Sequence, residues 1–197
     1  PQFLSFVENI ATGKNDDKLD EIVLQLYDFA SSYPNPDKWL DACVKQYDAA
    51  TPSDFENKTL VSDTMQEFRQ MLAGLRAELE FAIRICESEG GPDGYKEALE
   101  SDLDFLEVLS QTNTYGEMQQ ALKNNKWKSL GRSHTQPVLE EKQNQVKDIR
   151  TLTKKEVDGW RQNYCAENIE ELCNDMNKAR ADVAVLAGLV KNFRAAF

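Results

Sequence analysis

The sequence has little of the residue types on which most enzyme centres depend. It contains one histidine, His134, and four cysteines (Cys43, Cys86, Cys165 and Cys173) in 197 residues, and no Cys-x-x-Cys pair. Zinc sites need closely spaced Cys or His ligands, and di-iron bundles need Glu-x-x-His on two helices. We therefore expect neither a metal ion nor a catalytic centre in this segment. We interpret the cysteines as small buried residues in a reducing cytoplasm.

Long apolar runs and strand-like alternation are also missing. The lack of a long apolar run and the mean hydropathy of -0.61 together exclude a typical membrane-spanning helix, so we predict no membrane partner and a cytoplasmic location. There is no initiator Met, and Phe197 falls within a helical pattern. We expect residues 1–197 to form a single helical domain cut from a longer protein.

Basic residues are scarce in the first part of the chain. Residues 1–122 hold 9 Lys and Arg against 24 Asp and Glu, whereas residues 123–197 hold 14 against 10. A net charge of -11 argues against a general nucleic-acid coat. Any contact with nucleic acid is therefore expected in the second part.

One apolar stripe dominates the periodicity. Eight residues follow one another at spacings of three and four, as on one face of an α-helix: Val61, Met65, Phe68, Leu72, Leu75, Leu79, Ala82 and Cys86. The spacing predicts a helix over 54–88, with a capping box at Ser53 and Glu56 and an end at Gly90.

Similar patterns predict the other helices. Asn35 and Pro36 should open one helix, and Thr114 and Glu117 should cap another. Apolar positions predict long helices from Val138 to about Tyr164 and from about Glu167, the latter packed against the 54–88 helix. Buried positions of a helix ending near Ser32 are predicted at Leu19, Ile22, Val23, Leu26, Phe29 and Ala30. The predicted fold is all-α, a multi-helix bundle of about seven or eight helices, three of them long.

Residues 124–137 show no helical period and are predicted to form a loop, and the segment from Lys123 to His134 carries the candidate binding residues. Four cations surround one indole, and the candidates are Lys123, Lys126, Trp127, Lys128 and Arg132. Lysine and arginine neutralise phosphates, and an exposed indole can stack on a base. The alternative is a solvated loop whose Trp127 packs into the core.

The stretch from Leu26 to Asp41 reads Leu-Tyr-Asp-Phe-Ala-Ser-Ser-Tyr-Pro-Asn-Pro-Asp-Lys-Trp-Leu-Asp. It resembles a signature of the A subunit of the AddAB-type ATP-dependent helicase–nucleases, which are superfamily 1 DNA helicases. The residues around Phe3–Asp17, the Gly90-Gly-Pro turn and the run Val183–Phe197 resemble the same family. The resemblance implies a helical insertion, subdomain 1B, of the first motor domain.

For the whole protein, the resemblance implies an ATP-dependent DNA helicase and exonuclease that acts in double-strand-break repair and recombination. ATP and magnesium would be its cofactors, and DNA and a second subunit its partners. No catalytic residue of the family matches a position in this chain.

Two functions stay open at this point. The first is an accessory domain that contacts duplex or forked DNA through the Lys123–Arg132 loop. The second is a helical protein–protein interaction module without a DNA contact. A shared exposed face of Lys126, Lys128, Arg132, Lys142 and Arg150 would favour the first. A buried Trp127 and cations paired with carboxylates would favour the second.

Overall fold

The computed structural model describes residues 17–124, 126–165 and 167–196, and over these the chain is helical without a strand. Eight α-helices follow in order: α1 (Asp17–Ser31), α2 (Pro36–Gln46), α3 (Pro52–Glu56), α4 (Thr59–Glu87), α5 (Lys96–Ser110), α6 (Tyr115–Asn124), α7 (Glu140–Tyr164) and α8 (Ile169–Ala195). A single 3-10 turn, Asp93–Tyr95, precedes α5. The predicted all-α fold with three long helices is confirmed. The predicted helix in Pro1–Ala11 lies outside the described residues.

The chain divides into two compact units. Unit 1 contains the described residues up to Leu60 together with those from Ile169 onward, and unit 2 contains Val61–Asn168. A single domain over residues 1–197 stays a prediction.

Unit 1 is built by α1, α2 and α3 against α8. Four buried residues form its centre, and partly buried side chains of α1 and α2 pack around them; the four are Ala30, Leu40, Ala187 and Val190. Asn177 of α8 joins the link after α2, because its side chain donates to the Ala49 carbonyl at 2.7 Å and accepts from the Ala49 amide at 3.2 Å. Within unit 1, α8 packs on α1, α2 and α3. Its pairing with the 54–88 helix stays a prediction.

The turn between α1 and α2 follows its sequence signals. The Asn35 side chain accepts a hydrogen bond from the Lys38 amide at 3.2 Å, and Pro36 takes the first helical position. The same turn holds an aromatic cluster in which Tyr33 stacks on Trp39 with ring centroids 4.8 Å apart. Phe29 contacts both rings and is 57% exposed.

The predicted burial of α1 is therefore wrong at two positions, Ile22 and Phe29, both of which are exposed. Apolar residues at spacings of three and four can occupy a wide face of a helix. The neighbouring helices cover only the centre of this face of α1. Ala30 lies at that centre and is fully buried.

The predicted 54–88 helix begins later than expected. Pro52 keeps the preceding Thr51 in an extended conformation, so Thr51 becomes the N-cap of the short helix α3. Thr51 forms the capping box with Asp54, three residues on, and not Ser53 with Glu56. The long helix starts afresh at Thr59.

Unit 2 packs around the apolar stripe of α4. All eight predicted stripe residues are buried. Gly90 ends this region with a φ of 71°, in the left-handed region that glycine tolerates. The capping box at Thr114 and Glu117 is confirmed, since the Glu117 amide donates to the Thr114 hydroxyl at 3.2 Å and the Thr114 amide to the Glu117 carboxylate at 3.3 Å.

Two further polar contacts join α6 to the end of α7. The Tyr115 hydroxyl and the Gln119 side-chain amide both donate to the Tyr164 carbonyl, at 2.7 and 2.8 Å. They satisfy a carbonyl that the end of α7 would otherwise leave without a helical partner.

The cysteines are free thiols, and three of them are buried, as predicted, whereas Cys43 is half-buried. Burial raises the pKa of Cys86 to about 11, so its thiol stays protonated at neutral pH.

Candidate nucleic-acid interface

The candidate loop, 126–139, links α6 to α7 without regular structure, as predicted. It contacts the rest of unit 2 at three points. These are Trp127, the carbonyl of Lys128 and the segment around Thr135.

Trp127 is half-buried and anchors the loop. Its indole Nε1 donates to Asp158 Oδ1 at 3.4 Å, and its ring meets Phe105 edge to face with centroids 5.5 Å apart. The Lys154 ammonium lies 5.7 Å from the ring centroid, in cation–π geometry. An indole engaged on its edge, its face and its N–H is poorly available for stacking on a base.

A buried ion pair lies beneath the loop. Arg150 Nε donates to Asp102 Oδ2 at 2.6 Å, and Nη2 donates to Oδ1 at 3.2 Å. The side chains are 7% and 2% exposed. Burial raises the pKa of Asp102, and the hydrogen bonds from Arg150 oppose that rise. Arg150 Nη2 also donates to the Lys128 carbonyl at 2.6 Å, so the pair positions the loop backbone.

The carboxylate of Asp93 holds the far end of the loop. It accepts from the Thr135 amide at 2.9 Å and from the Thr135 hydroxyl. It also accepts from the Gly94 amide at 3.0 Å, and His134 Nδ1 lies 3.3 Å away. These donors lower the pKa of Asp93, with the Thr135 hydroxyl as the largest contribution.

Two glycines let the loop backbone approach the 3-10 turn. A Cβ atom on Gly131 would lie 2.2 Å from the Gly94 carbonyl oxygen. A Cβ atom on Gly94 would lie 2.1 Å from the Ser133 carbonyl oxygen. Only glycine fits at either position without displacing the backbone.

The five candidate residues differ in what the structure leaves available. Lys123, Lys126 and Arg132 are exposed, and the described residues give none of them an ion pair. Lys128 is exposed as well, but its ammonium lies 3.3 Å from Glu97. Trp127 belongs to the packing of unit 2. The loop and the end of α6 therefore offer three cations to solvent.

The shared exposed face of five cations that would favour a DNA contact is not formed. Arg150 is buried against Asp102. The Lys142 ammonium donates to the Ser88 hydroxyl at 2.9 Å and to the Glu89 carbonyl at 2.7 Å, at the end of α4. Both cations satisfy polar groups within unit 2.

Sequence reasoning missed the residues that position the loop. A signal existed for the buried pair. Asp102 lies three residues after Leu99 and four before Leu106, and Arg150 lies four after Val146, all on buried faces. A charged residue on an apolar helix face indicates a buried partner. No such signal marks Asp93 or Thr135.

The Asp93 contacts should make the stability of the protein depend on pH. Because the pKa of Asp93 is lower in the folded protein than in the unfolded chain, its carboxylate stabilises the folded protein at pH values above the unfolded pKa of about 3.9. This stabilisation is lost as the pH falls through the folded-state pKa. Thr135→Val removes the hydroxyl donor, so we expect the pKa of Asp93 to rise towards its ordinary value. A side-chain carboxyl titration by NMR measures it. Thr151→Val, an exposed change on α7, should leave the Asp93 pKa unchanged, and an equal result in both variants would contradict the assignment.

The described part of the chain contains no group of three or more His, Cys, Asp or Glu side chains placed to hold a metal ion. None of its helices combines the length and the apolar character needed to cross a membrane.

The sequence of the chain is similar to parts of known proteins. No protein-family model matches the chain. A protein of Lachnoclostridium phytofermentans is 29% identical over 196 residues, which are 97% of this chain and 14% of that protein. A protein of Pelotomaculum thermopropionicum is 31% identical over 190 residues, 94% of this chain and 15% of that protein. Each is named as the A subunit of an ATP-dependent helicase/nuclease. The chain is homologous to part of these proteins.

A third relative extends the match. The corresponding helicase/nuclease protein of Geobacillus kaustophilus, which has the same name, is 26% identical over 202 residues and covers 100% of this chain. The chain spans 14% to 16% of the length of these three helicase/nuclease relatives. The similarity to this family predicted from Leu26–Asp41 is confirmed, and the placement within a motor domain stays a prediction.

Proposed function

We propose that the chain is an accessory helical domain of an ATP-dependent DNA helicase/nuclease, corresponding to the 1B insertion of its first motor domain. The observation that carries this proposal is similarity over 94% to 100% of the chain to a small part of the helicase/nuclease relatives. The whole protein would use ATP and magnesium, and together with a second subunit it would process DNA ends in double-strand-break repair. The domain itself would bind and position, without catalysis.

The proposed DNA contact is electrostatic. Lys123, Lys126 and Arg132 reach solvent from one loop and its preceding helix end, and each can neutralise a phosphate. The Lys128 ammonium forms an ion pair with Glu97, and Trp127 anchors the loop through its hydrogen bond to Asp158. Such a contact would follow the backbone of a duplex or fork without reading its sequence.

A forked duplex with a fluorescent label tests the contact by anisotropy. We expect salt-dependent binding by the wild-type chain at low salt, weakened by the triple variant Lys123→Ala, Lys126→Ala, Arg132→Ala. The slope of log binding constant against log salt concentration is negative. Its magnitude should decrease by about 0.9 for each phosphate that the variant no longer neutralises. A control with the same charge loss in unit 1, Lys38→Ala, Lys45→Ala, Lys178→Ala, should bind like the wild type. Equal loss in both triple variants, or no binding by the wild type, would overturn the contact.

Tryptophan fluorescence tests whether Trp127 anchors the loop or stacks on a DNA base. Replacing Trp39 and Trp160 by Phe leaves Trp127 as the only indole of the three. A residue that anchors the loop should keep its emission when DNA is added, whereas stacking on a base quenches it. Strong quenching would show that Trp127 leaves its contacts with Asp158 and Phe105.

The second function, a protein–protein interaction module, has its own support. The aromatic cluster at Phe29, Tyr33 and Trp39 leaves large apolar side chains at the surface of unit 1. Exposed aromatic clusters are typical of interfaces. If the wild-type chain fails to bind DNA, docking to the rest of the motor or to the second subunit becomes the better account.

A further inference from the structure

A groove of about 560 Å³ runs between α4 and α7 on the surface of unit 2. Phe81, which is 40% exposed, and Ile149 supply its apolar surface. Leu152, 49% exposed, lies three residues after Ile149 and thus extends the same face of α7. The exposed Phe81 and Leu152 and the half-buried Ile149 form an apolar strip that crosses from one helix to the next.

Carboxylates border this strip. Glu78, Glu141 and Asp148 line the groove, all three are exposed, and the described residues supply no ion-pair partner for any of them. The Phe81 ring already attracts a cation, because the Arg84 guanidinium lies 5.7 Å from its centroid. The groove thus combines an apolar floor with a negative rim.

We propose that this groove docks a basic amphipathic helix of a protein partner. Leucine-type residues on one face of such a helix would cover Phe81 and Ile149, and flanking Lys or Arg residues would pair with the carboxylates. Nucleic acid is repelled by the rim. A second copy of this chain is disfavoured, because each copy carries a net charge of -11. The proposal does not depend on the DNA contact, which involves other residues.

The test uses a labelled synthetic helix with leucines on one face and lysines on the other. Phe81→Ala, and separately the pair Glu78→Lys, Asp148→Lys, should each weaken its binding to the 197-residue chain by about tenfold or more. The matched control, Asp63→Lys with Asp104→Lys, reverses two exposed carboxylates that do not line the groove and should change the affinity less than about twofold. NMR shifts should concentrate on α4 and α7 around the groove.

Three results would overturn the proposal. The first is equal loss of affinity in the groove and control variants, which would indicate general attraction to an acidic chain. The second is equal binding of a peptide with the same composition in scrambled order. The third is self-association of the chain that Phe81→Ala abolishes, which would assign the groove to a second copy.

Discussion

Arg150→Ala should destabilise the protein by about 3–5 kcal/mol, because it leaves the buried Asp102 carboxylate without its cation. Urea denaturation measures the change. The same variant also removes the donor to the Lys128 carbonyl, so the loop should exchange its amide hydrogens faster even where the protein is folded.

Two comparisons isolate the cause. The double variant Asp102→Leu, Arg150→Met replaces the pair by apolar side chains and should recover most of the lost stability. Arg76→Ala removes an exposed arginine that binds Glu80 and Glu107, and its effect should be small because water screens that network. A loss in Arg150→Ala no larger than in Arg76→Ala would contradict the importance of the buried pair.

Phe68→Ala should cost about 3–5 kcal/mol of unfolding free energy, since Phe68 is fully buried in unit 2 and its loss leaves a cavity. Its ring packs on Trp160 with centroids 4.7 Å apart, and Trp160 stacks on Tyr164 at 4.4 Å. Near-ultraviolet circular dichroism should therefore change together with the denaturation midpoint.

Phe81→Ala is the matched control, because the same residue type on the same helix is exposed. It should cost less than about 1 kcal/mol. Equal losses at positions 68 and 81 would mean that the stripe of α4 does not form the core of unit 2.

The stripe shows what periodicity can predict. Val61 to Cys86 keep a strict spacing of three and four, and every member is buried, because a helix of 29 residues packed along its length buries one continuous face. Leu139, the N-cap residue of α7, and Leu152 within that helix are also apolar, yet they are 56% and 49% exposed. Apolar character at helical spacing indicates a face, but tertiary packing decides how much of it is covered.

The position of the candidate loop was predicted correctly, but its contacts with α5 and α7 were not predicted. The absence of a period between Asn124 and Pro137 predicted a loop, and positive charge marked it as a candidate interface. The partners of Trp127 and Lys128 lie about 30 residues away along the chain, at Asp158 and Glu97. Such pairings depend on how α5 and α7 are brought together, which local patterns do not encode.

The chain returns to unit 1 only after unit 2 is complete, and this order affects synthesis. Helices α1, α2 and α3 leave the ribosome before unit 2, whereas α8, which covers their apolar faces, begins only at Ile169. At a translation rate of about 5–20 residues per second, the delay is on the order of ten seconds. Unit 2 is contiguous and can fold during that interval, whereas the apolar faces of α1, α2 and α3 stay uncovered until α8 emerges.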